Sequence, residues 1–373
     1  MKSSLSAFRK GLADLRIYME GLDLETKLPS IDKKNEELAP WEIHYKLFCD
    51  HYHANRAIKK RYNYNSVIIS MYGLVEQYIE ALMHNYLELL QKIVPSYPDI
   101  PESIVSNHVA ASFELIKYTE QNRYKGTNTK ELIISKLNSC LSDPQNYKLN
   151  SEAFCHHTAN FRSDVINVFF QKVGFSNIMH DALGNKTFNK LLEEMELNKL
   201  HDRFERSASA RTKENKESGL QERAFYFIND LADRRNEVAH GVSSQLLAHD
   251  ILLSYVYFLE PFGETIYDVL FQNLLWKEVN CHGMRVGKPT DVYKGGSVFC
   301  VWSNKAHIKK GDYIVGQNAS ELVIDKILEM QVDGIDVDEV SSERSIEIGV
   351  RTNCKFKKSH RMSILEETKE ILL

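Results

Sequence analysis

Along this chain of 373 residues the hydrophobic period changes once, near Trp276, and that single change limits what it can fold into. Ahead of it apolar residues recur at helical intervals; behind it they alternate as in a strand with one buried face. Leu5, Phe8, Leu12, Leu15 and Tyr18 or Met19 line one helix. A second runs from near Glu37 through Trp41, Tyr45, Phe48, Cys49 and Tyr52, with Pro29 and Pro40 marking breaks. Asn63 to Ser66 offer caps for a long third helix carrying Val67, Met71, Leu74, Val75, Tyr78, Ile79, Leu82 and Tyr86. Residues 102–150 are helical in pieces, with Val105, Val109, Phe113 and Ile116 and later Leu132, Ile133, Leu137 and Cys140. Ala159 to Phe175 reads as a short amphipathic helix closed by Gly174, and Ser244 to Leu275 as a long one that Pro261 and Gly263 should bend. Beyond Trp276, Ser297–Trp302, Tyr313–Val315, Leu322–Asp325 and Ile346–Val350 alternate as short strands, the pattern of a small β-barrel. The expected fold class is multi-domain α and β: an all-α bundle over residues 1–275 and a small β-barrel over 276–373.

The most unusual stretch is the helix over about residues 221–240. Ala224, Ile228, Leu231 and Ala232 form an apolar stripe, and extending it places Arg235 and then Ala239 on the inner face. A guanidinium there needs partners. Beside it Asn229, Asp233, Asn236 and His240 form a polar stripe, and Gly241 suits a left-handed end to the helix. Arg235 and His240 lie roughly 140° apart in azimuth and about 7.5 Å apart in rise, yet the long arginine and the corner at Gly241 let both heads meet one anion. Arginine presents a planar fork to phosphate oxygens, and imidazole moves protons near neutral pH. Two structural readings stand beside this one: a buried ion pair of Arg235 or Arg234 with Asp233, and a histidine favoured by the C-terminal helix dipole.

Arg235-Asn236-Glu237-Val238-Ala239-His240 resembles the arginine, four-to-six residues, histidine signature of HEPN-domain ribonucleases. The run Asp233 to Gly241 is similar to the RiboL-PSP type found in bacterial defence and toxin systems. Ser66 to Glu80, with Glu76 near its middle, resembles the first long helix of that bundle. The resemblance spans residues 60 to 275. It implies a homodimer with both motif helices in one cleft and no cofactor or metal. Arg235 would hold the scissile phosphate, His240 serve as base or acid, and Asn236 orient either. Asp233, Glu237 and Glu76 would support them. Attack by a ribose 2′-hydroxyl would leave a 2′,3′-cyclic phosphate, and the role would be that of a toxin or anti-phage effector, with an antitoxin or second defence subunit as a further partner. The motif register favours Arg235 over Arg234. Some HEPN domains lack nuclease activity, so a non-catalytic RNA- or protein-binding module is the alternative. Toxins of this superfamily controlled by a nucleotidyltransferase carry a tyrosine two positions after the histidine; Val242 stands there.

Composition adds exclusions. Net charge is −4, so no global basic field advertises nucleic acid and RNA contacts must be local. The N-terminus is charged and amphipathic rather than a signal peptide, and no apolar run of about 18 residues occurs; a cytoplasmic protein is expected. Six scattered cysteines read as reduced thiols, and Cys155-His156-His157 and Cys281-His282 lack the second ligand pair of a zinc site. The charged run from His201 to Arg223 reads as solvated surface or as a gate for an RNA groove. In the β region, the order from His307 to Val350 resembles the second-domain barrel of translational GTPases. Its last hairpin, Arg351 to Arg361, gathers Lys355, Lys357, Lys358 and Arg361 around Phe356, suited to an RNA backbone or to guarding an edge strand.

Overall fold

In the computed structural model, which describes residues 1–27, 39–120, 128–195, 223–241, 245–303, 306–318 and 322–366, the helical period becomes eleven α-helices among the described residues. They are α1 (Lys2–Glu25), α2 (Pro40–Ala54), α3 (Arg56–Ile93), α4 (Glu102–Tyr118), α5 (Lys130–Ser142), α6 (Ser151–Phe154), α7 (Ser163–Gln171), α8 (Ile178–Leu183), α9 (Lys186–Glu194), α10 (Tyr226–Ala239) and α11 (His249–His282). No helix among the described residues is long and apolar enough to cross a membrane. The charged run from His201 lies outside them as far as Glu222. The chain forms two units. The first comprises Met1–Asn85, Glu102–Asn107 and Glu152–Val269, the second Tyr86–Pro101, His108–Ser151 and Leu270–Leu373.

In the first unit α1 buries Leu5, Phe8, Leu12, Leu15 and Met19, while Tyr18 is exposed. Each buried side chain of this size contributes on the order of 1.5–3 kcal/mol. Pro40 begins α2 rather than breaking it, since a first-turn proline has no intrahelical bond to lose. Helix α3 starts at Arg56, well ahead of the expected caps at Asn63 to Ser66. Its added turns are held by Lys59, which pairs with Glu25 and lies over the Tyr52 ring, and the buried face follows from Tyr64 through Val67, Ile68, Met71 and Tyr72. Rings knit α9, α10 and α11 together, with Phe188 5.7 Å from Phe258, Phe227 4.8 Å from Tyr255 and Phe227 5.3 Å from Phe258 between centroids. These contacts fix the motif helix α10 against α11.

Gly263 lies inside α11, where glycine costs about 1 kcal/mol relative to alanine. Its role is close approach. Phe8 stacks on Tyr78 at 4.2 Å, the Tyr78 hydroxyl donates to the Gly263 carbonyl at 2.8 Å, and a Cβ at position 263 would sit 2.6 Å from the Phe8 ring. Neither ring is free to withdraw. Gly263→Ala is therefore expected to destabilise the protein by about 1–3 kcal/mol despite its better helix propensity, read as a lower midpoint in thermal unfolding; a higher midpoint would show that the ring stack yields.

In the second unit the apolar residues of α4 do not all face inward. Val109 and Phe113 are exposed, whereas His108, Ser112 and Leu115 are buried. The interior there is polar and satisfied: the Asn150 amide N–H donates to His108 Nε2 at 3.0 Å, His108 Nδ1 meets the Tyr97 hydroxyl at 3.1 Å, and Asn150 Nδ2 donates to Ser112 Oγ at 2.9 Å and to the Ile133 carbonyl at 3.0 Å. Burial, with Lys136 nearby, pushes the His108 pKa down to about 4. An unfolded imidazole titrates near 6.5, so the unfolded chain takes up this proton first. The stabilisation from neutral His108 is complete above pH of about 6.5 and is lost as pH falls toward about 4, on the order of 3 kcal/mol. Urea titrations across that window are expected to show this acid loss in the wild type and a flatter profile in His108→Gln.

The β region holds β1 (Met284–Arg285), β2 (Pro289–Tyr293), β3 (Val298–Ser303), β4 (Ala306–Lys309), β5 (Tyr313–Gln317), β6 (Leu322–Lys326), β7 (Glu329–Val332), β8 (Ile335–Val337), β9 (Glu339–Ser342), β10 (Ile346–Arg351) and β11 (Arg361–Leu365). They pair as antiparallel sheets in the orders β1-β11-β5-β6, β2-β3-β10-β7-β8 and β4-β9. Strands from all three feed one core that includes Phe299, Val301, Ile308, Ile314, Val340 and Ile348. Between β7 and β8, Asp333 and Gly334 both have positive φ, the two-residue turn whose twist suits a hairpin. Helix α11 continues past Leu275 to His282 because Val279 packs with Val315 and Leu365. Arg351 to Arg361 is not a hairpin: it joins β10 to β11, each an inner strand of a different sheet.

Candidate functional site

The apolar stripe lands where expected, with Ala224 just ahead of α10 and Ile228, Leu231 and Ala232 within it all buried. Past Ala232 the expectation divides. Arg234 is the enclosed arginine, its side chain 15% exposed. Its Nε donates to Asp230 Oδ2 at 2.5 Å and its Nη1 to the Tyr64 hydroxyl at 2.9 Å and the Gln245 carbonyl at 3.2 Å. The Tyr255 hydroxyl also donates to Asp230. Burial by itself works against the guanidinium charge, but Tyr255, Asp230 and Tyr64 outweigh it and raise the Arg234 pKa. The buried pair is thus Arg234 with Asp230, not an arginine with Asp233. Asp230 stands four residues before Arg234, a spacing at which opposite charges meet on a helix.

Arg235 is half-buried, and its guanidinium lies 5.3 Å above the centre of the Tyr72 ring, a cation–π contact. The arginine thereby stays positioned, and among the described residues no carboxylate pairs with it. Burial pushes the Tyr72 pKa up to about 12, so the phenol is a neutral donor. Its hydroxyl donates to Asn160 Oδ1 at 3.3 Å and accepts from the Phe161 amide at 2.9 Å. Asn160 Nδ2 in turn donates to Asn236 Oδ1.

That last bond explains the polar stripe. Asn229 Oδ1 accepts from the Ser163 amide at 2.9 Å, Asp233 accepts from Arg162 Nη1, and Asn236 accepts from Asn160. Three of the four stripe residues dock the segment Asn160–Ser163 along α10. The fourth, His240, caps the helix, with its amide donating to the Asn236 carbonyl at 3.0 Å, and its side chain is exposed. Gly241 has φ +67°, so the helix ends as the glycine predicted, while Ala239, expected inside, is exposed. Asn236 Oδ1 is occupied in this way, whereas its Nδ2 donates to no group among the described residues. Glu237 is half-buried.

Glu76 points to a different partner. His157 Nε2 donates to Glu80 Oε1 at 2.9 Å, with Glu76 Oε1 3.8 Å away, and His157 Nδ1 donates to the Ala159 carbonyl at 3.0 Å. Both ring nitrogens donate, which requires the protonated ring. Burial favours the neutral form, but the Glu80 and Ala159 hydrogen bonds and the charges of Glu80 and Glu76 prevail and raise the His157 pKa. Tyr72, Glu76 and Glu80, one helical turn apart on α3, so anchor the segment that buttresses α10. Their spacing was readable in the sequence; Asn160 and Arg162 gave no signal, because only the fold brings them to α10.

In the β unit Lys355, Lys357, Lys358 and Arg361 are exposed, but the aromatic among them is not available. Phe356 is 1% exposed and packs on Phe299 at 5.0 Å between centroids. Arg351 is paired with Glu329 at 2.7 Å and Lys358 with Asp291 at 3.3 Å. The cations follow the strand connection and the phenylalanine serves the core.

A family model described as RiboL-PSP-HEPN matches residues 45–272, more than half of the chain. A search of curated proteins returned no match.

Proposed function

Because the chain belongs to the RiboL-PSP-HEPN family, we propose that it is an endoribonuclease that cuts RNA through attack of a ribose 2′-hydroxyl on the adjacent phosphate. The observation that carries this reading is the division of labour on α10: Arg234 is consumed by the fold, whereas Arg235 is held over Tyr72 and His240 stands exposed at the helix end. Arg235 binds the non-bridging phosphate oxygens and stabilises the charge that grows on them. His240 takes the proton of the attacking 2′-hydroxyl, or returns one to the departing 5′-oxygen. The bond from the 2′-oxygen to phosphorus forms as the bond to the 5′-oxygen breaks, leaving a 2′,3′-cyclic phosphate and a 5′-hydroxyl. Since the nucleophile is part of the substrate, no metal-activated water is needed. Asn236 Nδ2 orients the phosphate. One protomer supplies one arginine and one imidazole, and a homodimer with facing α10 helices supplies both an acid and a base. The exposed cations Lys355, Lys357, Lys358 and Arg361 add contacts to RNA backbone, and the biological setting is a cytoplasmic toxin or defence effector held in check by a second protein.

A non-catalytic RNA- or protein-binding module is the second reading, favoured by the hydrogen bonds that already occupy Asp233 and Asn236. Incubating total RNA with the purified protein in chelator, beside Arg235→Ala and His240→Ala, separates the two. Cleavage by the wild type alone supports the nuclease; unaltered RNA with all three leaves the binding module.

A further inference from the structure

A cavity of about 270 Å³ opens within the first unit, between the end of α1, the start of α3 and the start of α11. Its inner wall is apolar, with Met19, Val67 and Leu252 buried and Tyr52 and Tyr64 adding ring surface. Its mouth is cationic. Arg56 and Lys60 stand exposed on successive turns of α3, where like charges four residues apart repel by a few tenths of a kcal/mol. Asp23, the carboxylate in the lining, is held by Lys27 at 2.6 Å, and Lys59 is held by Glu25 at 2.5 Å while lying over the Tyr52 ring. Among the described residues Arg56 and Lys60 make no ion pair, in contrast to Lys27 and Lys59. Asn63, also in the lining, offers an amide with both donor and acceptor.

An apolar and aromatic wall, one amide and a pair of cations at the rim match the parts of a nucleotide: a flat base with a polar edge, joined to a phosphate. The size matches one such unit, being just below the roughly 300–1,000 Å³ of ligand pockets. We infer that this cavity binds a single nucleotide, its base inward beside Asn63 and its phosphate between Arg56 and Lys60. The wall residue Tyr64 accepts the hydrogen bond from Arg234, and Leu247 and Ala248 of the lining lie just beyond Gln245, the other acceptor for Arg234. Along α10, Arg234 and His240 differ by about 9 Å of rise. The cavity therefore adjoins the motif helix, placed to choose the nucleotide near the cleaved link. Only this choice of an RNA-borne nucleotide rests on the ribonuclease reading; the cavity as a nucleotide site does not.

Isothermal titration of the full chain with adenosine 5′-monophosphate, uridine 5′-monophosphate and inorganic phosphate tests it. At least one mononucleotide should bind ten times tighter than phosphate, and Arg56→Glu with Lys60→Glu should weaken that binding at least tenfold with an unchanged unfolding midpoint. In RNA cleavage assays a mononucleotide that raises KM without lowering kcat in the wild type, but not in the charge-reversed protein, assigns the cavity to the RNA chain, and a KM unchanged in both assigns it to free nucleotide. Mononucleotide binding no tighter than phosphate, or wild-type binding by the charge-reversed protein, overturns it. If the wild type binds nucleotide but leaves RNA uncut, only the ribonuclease reading falls.

Discussion

His240→Ala is expected to lower RNA cleavage by about 100- to 10,000-fold, the usual loss when a positioned acid or base is removed, with unfolding unchanged. His240 is exposed at the end of α10, and surface changes of that kind move stability by about 0.5 kcal/mol or less. Arg235→Ala should lose a comparable factor of about 100 to 1,000 by removing a donor aimed at the developing phosphate charge. Arg235→Lys should restore little, because an ammonium lacks the planar fork and covers the Tyr72 ring differently. The measurement is product formation on a defined RNA in chelator, with the 2′,3′-cyclic end identified by mass. Retained cleavage in both alanine variants would remove the motif from the chemistry.

Arg234→Ala is expected to do the reverse, unfolding the protein rather than silencing it. Its partner Asp230 is only 18% exposed and would be left as a buried charge without its counter-ion. Breaking one side of such a pair costs about 3–5 kcal/mol, and the bonds to Tyr64 and Gln245 go with it. Arg234→Ala should thus show a strongly lowered unfolding midpoint, beside an Arg235→Ala protein whose midpoint falls far less, by the ~0.5–2 kcal/mol of its contact with Tyr72. Equal midpoints in the two variants would refute the assignment of a structural and a reactive arginine. Adjacent arginines behave this differently because they point about 100° apart on a helix, one toward Asp230 and Tyr64, the other toward Tyr72.

Much of this was legible from spacing. The stripe from Ala224 to Ala232 and the helix end at Gly241 follow from local periodicity and glycine geometry, and the change to strands does too, save that packing of Val279 carries the last helix on to His282. Failures occurred where polar groups were inside. The inner face of α4 carries His108 and Ser112, which an apolar count passes over, and Phe356 looked like a partner for lysines because its burial depends on Phe299, far away in the chain. The motif register favoured Arg235 over Arg234, but nothing in the spacing showed that Arg234 is the enclosed one, because its partner Tyr64 is far away in the chain.

By itself the sequence determined a helical part carrying an arginine–histidine motif, followed by a small β part, because helix and strand periods and turn residues act over a few neighbours. Only the tertiary structure decided which arginine is reachable, what the polar stripe on α10 is for, and that a cationic cavity adjoins Tyr64. Those properties rest on contacts between residues more than 60 apart in the chain, such as Asn160 with Asn236 and Tyr64 with Arg234. Such pairs leave no periodic trace, because their energy comes from burial and hydrogen-bond satisfaction that exist only once the chain has closed on itself.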